Sequence, residues 1–178
     1  MSFGDDLERE RQQVARMVRS ASQSWAEAMR AHMMAPPDAG FAERLRGLAQ
    51  AAATEQVAWE RAHAAGLMWR PVPGAEKAEP PYELRPGTGR RGPPELWERF
   101  DAAVARLNRA ITGSSSEEVA GAFGELAQAA AALAEAVEAE DAVVREGHLR
   151  ALEAQLRARE QAAPAAGGRH TARGRRTA

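Results

Sequence analysis

The apolar side chains of this chain recur at intervals of three and four residues, and no stretch alternates with the two-residue period of a strand. Leu7, Val14, Val18, Ala21, Trp25, Ala28 and His32 fall on one helical stripe. The pattern predicts a first helix that ends before Pro36 and Pro37, because proline lacks the amide donor and its ring clashes with the preceding turn. A second stripe, Phe41, Leu45, Leu48, Ala52, Gln56 and Trp59, ends near Gly66, and the short connection between the two predicts an antiparallel hairpin.

Pro93, Pro94 and Glu95 open a third helix, since proline is tolerated in a first turn and an acid there meets the positive end of the helix dipole. Its buried stripe is Leu96, Phe100, Val104, Leu107 and Ile111, with Trp97 beside it. Ser115 with Glu118, or Ser114 with Glu117, has the spacing of a capping box ahead of a fourth helix. The stripe of that helix, Val119, Phe123, Leu126, Ala130, Leu133 and Val137, alternates by four and three as coiled-coil packing does. The expected fold is therefore all-α, an antiparallel helical bundle of about four helices spanning residues 1–140.

Two regions depart from this regularity. Residues 67–94 contain Pro71, Pro73, Pro80, Pro81, Pro86, Pro93 and Pro94, which exclude a sustained helix or a central strand and predict an irregular crossover between the second and third helices. Its apolar residues Leu67, Met68, Trp69, Val72, Tyr82 and Leu84 predict that it straps across the bundle. Trp69 and Tyr82, with Arg85, Arg90 and Arg91, are its candidate contacts to a partner, tryptophan and arginine being the residues that most often anchor interfaces. The second departure is at Glu140, where the fourth stripe meets a charge and resumes out of phase as Leu149, Leu152 and Leu156. This predicts a helix that kinks or ends near Gly147, and an extended C-terminal helix over residues 141–162 that bears a second leucine seam. A helix of ~12 to 15 residues is marginal alone in water, so the seam reads as a docking or dimerisation element.

Composition narrows the chemistry. Of 178 residues 44% are hydrophobic but only 5% aromatic, so the core must be made of thin, alanine-rich helices in close approach. A formal charge of -1 and a pI near 6.5 argue against the whole molecule acting as an electrostatic binder of nucleic acid or anionic lipid. The segment 163–178 is small, basic and free of acid, and is expected to be a disordered tail. Its Arg169, Arg173, Arg175 and Arg176 supply the alternative functional reading, weak and sequence-independent association with nucleic acid phosphates. Cysteine is absent, which removes disulfides, thiolate metal ligands and a cysteine nucleophile. Acidic opening residues without an apolar run do not resemble a secretory signal, and the most apolar stretch, 129–137, contains Glu135 and is shorter than the ~20 residues of a membrane span. The expected location is cytoplasmic, with no membrane partner.

Gly87, Gly89 and Gly92 spell G-x-G-x-x-G in front of the third helix. A dinucleotide-binding turn needs a strand before these glycines, whereas Pro80, Pro81 and Pro86 exclude one, and Pro93 and Pro94 remove two of the amides that would meet a phosphate. A flexible turn is the expected role. Glu60 and His63 have the i, i+3 spacing of helical di-iron sites, but Glu146 and His148, two apart, do not repeat it. No serine sits in a nucleophile-elbow pattern. The resulting expectation is a non-enzymatic protein–protein interaction module with a regulatory or scaffolding role and no cofactor or metal, whose partner is another protein or a second copy of the chain. Trp25 and Trp59 are assigned to its core.

Overall fold

The structure, a computed structural model, describes residues 3–34, 40–68, 90–113 and 115–162. They form four helices, α1 (Phe3–Met34), α2 (Phe41–Ala64), α3 (Pro94–Thr112) and α4 (Ser116–Ala162), and no strand occurs among the described residues. The chain divides into two units, Met1–Glu140 and Asp141–Ala178.

Contacts at the helix ends fix the topology of the first unit. Arg11 Nε, early in α1, donates to the carbonyl of Ala65 just beyond α2 at 3.3 Å, while His32 near the end of α1 stacks on Phe41 at the start of α2, ring centres 5.6 Å apart. The two helices are therefore antiparallel. Arg46, Gln56 and His63 of α2 meet Glu138, Gly124 and Glu117 of α4 in that order, so this pair is antiparallel as well. Arg106 of α3 pairs with Glu125 of α4 across a tight hairpin centred on Gly113. It follows that α2 and α3 run in the same direction, and the connection from Met68 to Arg90 joins opposite ends of the bundle.

All four helices contribute to one core. Leu45 and Leu48, Phe100 and Leu107, and Val119, Leu126, Leu133 and Val137 are fully buried, with Val14, Ala21, Trp25 and Met29 covering them from α1. The aromatic side chains form two groups: Trp25 meets Phe123 edge-on at 5.2 Å, and Phe41, Trp97, Phe100 and His32 pack together at 5.6 to 6.2 Å. Buried alanines on α2 and α4, including Ala52, Ala58, Ala62, Ala130 and Ala134, let the helix backbones approach closely. Such burial is worth about 0.8 kcal/mol per methylene-sized group, so many small contributions replace a few large ones.

Local chemistry places the ends of the helices. Pro93 is the N-cap of α3, and Trp97 Nε1 donates to the Arg91 carbonyl at 2.8 Å, which folds the incoming chain onto the helix. Gly92 takes a φ of 97°, and a Cβ there would stand 3.0 Å from Leu133 Cδ1 and 3.3 Å from Val137 Cγ2. Only glycine meets both demands, a left-handed backbone and a close approach to α4. At the start of α4 the amide of Glu118 donates to Ser115 Oγ at 3.2 Å, as the capping box requires, and Ser116 Oγ donates to the Leu67 carbonyl at 2.6 Å.

Three sequence expectations are corrected. The α1 stripe does not begin at Leu7, which is 44% exposed; Val14 is the first buried residue among the described side chains of that helix, and Met29 joins its buried face. On α2 the buried polar position is Glu55, with Gln56 lying against Gly124. The fourth helix does not end near Gly147, because α4 continues to Ala162. A single glycine costs a helix about 1 kcal/mol relative to alanine, and here the strong helix formers Arg145, Glu146, Leu149 and Arg150 flank it, with an ion pair from Arg150 to Glu146 spanning it.

Candidate functional site

The second unit presents the most distinctive surface. From Val143 to Leu156 this helical segment exposes five large apolar side chains, with Leu149 59%, Leu152 42% and Leu156 58% accessible. The three leucines share a stripe because they are three and four residues apart, and Arg145 and Arg159 extend the same stripe at its two ends. Glu146 pairs with Arg150, and Glu153 with Arg157 at 3.7 Å, along the neighbouring stripe. Val143 and Val144, more exposed than any of the leucines, lie on another face. Sequence reading missed both valines; the signal was two adjacent β-branched residues just past the break in register at Glu140.

The crossover candidates meet a different situation. Arg90 donates to both carboxylate oxygens of Asp101, at 2.8 and 3.1 Å, and its guanidinium lies 4.7 Å over the Trp97 ring. Its donors are thus directed into α3 rather than outward. Arg91 gives its carbonyl to Trp97 and is half-buried. Trp69, Tyr82 and Arg85 lie outside the described residues, as do Arg169, Arg173, Arg175 and Arg176. Gly92 also answers the glycine motif: its third glycine serves a packing contact with α4.

Two titratable groups are buried, His32 on the apolar stripe of α1 and Glu55 off the stripe expected for α2. Glu55 is 2% exposed, accepts hydrogen bonds from Trp59 Nε1 at 3.0 Å and from the Ser22 hydroxyl, and burial pushes its carboxyl up to about 7 against those two bonds. Its signal in sequence was an acid one residue ahead of a predicted stripe position and four before Trp59. His32 is buried among Phe41 and Phe100, its Nδ1 has no hydrogen-bond partner among the described residues, and burial, then the charge of Arg44, lower its pKa. Ten residues separate His32 from Ser22 on α1, about 15 Å of helix, so the imidazole and the Glu55 carboxyl do not converge.

Glu60 accepts from Gln56 at 2.8 Å and His63 Nε2 lies 3.9 Å from Glu117, so both members of the di-iron half-motif face solvent. Among the described residues no three His, Asp or Glu side chains stand close enough to share a metal ion, and no helix is long and apolar enough to cross a membrane. An open groove of about 460 Å³ between α3 and α4 is lined by Arg99, Arg106, Arg109, Glu125 and Gln128. Another, of about 320 Å³, lies between the start of α1 and the end of α2, where Glu10, Gln13, Met17 and Arg61 line it.

No protein family, curated protein or solved structure matches this chain.

Proposed function

We propose that this protein is a non-enzymatic helical interaction module, in which the residues 1–140 form a stable body and the segment 141–162 docks through Leu149, Leu152 and Leu156. The observation that carries this reading is the leucine stripe itself: three large side chains, four to six tenths exposed, at the spacing that helix pairing uses. A solvated helix has no need of leucine at those positions, and their exposure is a standing cost that a partner removes. The polar groups buried in the first unit support the non-catalytic half of the reading. Glu55 is engaged by Ser22 and Trp59 within the core, and His32 is enclosed by aromatic rings, so neither reaches either of the open grooves.

The test uses the full chain and a triple variant, Leu149→Glu, Leu152→Glu and Leu156→Glu, both immobilised and exposed to extract of the native cells. The wild type should retain at least one protein in defined stoichiometry, a second copy included, and the variant should lose it while keeping its helical circular dichroism. Equal retention by both would refute the seam as the docking element.

A further inference from the structure

We propose that the occupant of the leucine seam is a second copy of this chain, the two 141–162 segments pairing in parallel and in register. This rests on reading the segment as a docking element, and goes beyond it by naming the partner and the orientation. Leu149, Leu152 and Leu156 take heptad positions a, d and a. The same frame places Ala142 at a, Arg145 and Arg159 at d, Glu146, Glu153 and Glu160 at e, and Asp141, His148 and Gln155 at g.

In a parallel pair each leucine stacks on its own counterpart, giving three consecutive apolar layers, and each e residue faces a g residue of the other helix. Glu153 then faces His148 of the second copy and Glu160 faces Gln155, in both cases a hydrogen-bond donor opposite a carboxylate. Glu146 faces Asp141, and Arg145 and Arg159 at d each meet their own counterpart; these are the like-charge contacts of the pair. The stems of Arg145 and Arg159 lie along the seam while their guanidinium groups reach Glu146 and Glu160 of the other helix. Neither arginine, nor Glu160, has an ion pair among the described residues, so these charges are free to complete the interface. An antiparallel pair would bring e against e, setting the column Glu146, Glu153 and Glu160 against an identical column. The charge pattern therefore favours the parallel arrangement, and because the contact is with the same surface of the second copy it closes as a dimer. Three leucine layers make a short interface, so the association is reversible and depends on concentration.

Sedimentation equilibrium of the full chain from about 1 µM to 1 mM, the span of weak association, tests this. The weight-average mass should climb from 19.2 kDa toward twice that value. Leu152→Glu should hold the mass at the monomer value with helicity retained, whereas Ala154→Glu, on the opposite face at position f, should leave the climb unchanged. Since the chain has no cysteine, Ala142→Cys gives a unique thiol that should cross-link to its counterpart under mild oxidation only if the helices are parallel. A constant monomer mass, a climb insensitive to Leu152→Glu, or no cross-link in a dimer that Leu152→Glu abolishes would each overturn the proposal. A monomeric wild type that still loses a different protein in the triple variant would overturn self-pairing while leaving the interaction module standing.

Discussion

Glu55 shows how one side chain ties the bundle to pH. It enters the core with two neutral donors, Ser22 and Trp59, and burial raises its carboxyl from 4.5 to about 7, so the folded state holds a proton that the unfolded chain has already released. Its contribution to stability is complete below about 4.5 and is lost as the pH rises through 7. At about 1.4 kcal/mol for each pH unit between those two values, the cost of the ionised form above neutrality is of the order of 3 kcal/mol. Glu55→Gln should make the protein more stable than the wild type at pH 8 by about 2 kcal/mol and give no such gain at pH 4.5, as measured by urea unfolding at the two pH values. His32 acts in the opposite sense. Burial and Arg44 hold it neutral, so its contribution is present above 6.5 and is lost as acid protonates the unfolded chain, and His32→Phe should weaken the loss of thermal stability between pH 7 and pH 5. Gly92 is a third residue with a single physical role. Gly92→Ala forces a Cβ into a left-handed backbone against Leu133 and should cost about 1 to 3 kcal/mol in chemical unfolding.

The helices themselves were largely legible from periodicity, because large apolar residues spaced by three and four leave little choice of buried face. Leu45, Leu48, Phe100, Leu107, Phe123, Leu126, Leu133 and Val137 all stand where their stripes place them. The misreadings arise where a rule of spacing competes with length or with a neighbour. Leu7 fits the α1 stripe but is 44% exposed, while Met29, one position off that stripe, is buried. Glu55 is invisible to a hydrophobic pattern because an acid reads as surface, and only its hydrogen bonds to Ser22 and Trp59 explain it. The glycine triplet, whose proline context already argued against a dinucleotide turn, was expected to be a flexible turn, whereas Gly92 answers to a packing contact with Leu133 and Val137, far along the chain. Gly147 was expected to mark a kink or an end, and the helix does not end there, since one weak helix former among strong ones does not stop propagation. Gly147→Ala should therefore raise the helicity of α4 and its stability by roughly 0.5 to 1 kcal/mol, seen as slower amide exchange around position 147. A glycine needed for a break would instead make that substitution destabilising.

At the scale of the molecule the chain separates two tasks. Residues 1–140 bury most of the large apolar side chains described in them among close-packed alanines, with Leu7, Val57 and Met68 exposed, and the ring contacts of Trp25 with Phe123 and of His32, Phe41, Trp97 and Phe100 with one another involve all four helices. Residues 141–162 bury none of theirs. Candidate contacts placed on residues 67–94 and 163–178 were legible as composition only, since arginine, proline and glycine in irregular sequence specify no geometry. The leucine seam was legible as a pattern, because heptad spacing is a statement about geometry. Amide hydrogen exchange across a dilution series is the most direct measurement of the central claim that this seam is built to be covered. Amides of α2, α3 and α4 as far as Val137 should be protected at every concentration, while those of residues 145–160 should become protected as concentration rises and lose that protection in Leu152→Glu. Exchange across 145–160 at the rate of a free helix at every concentration, the same in wild type and variant, would contradict the account.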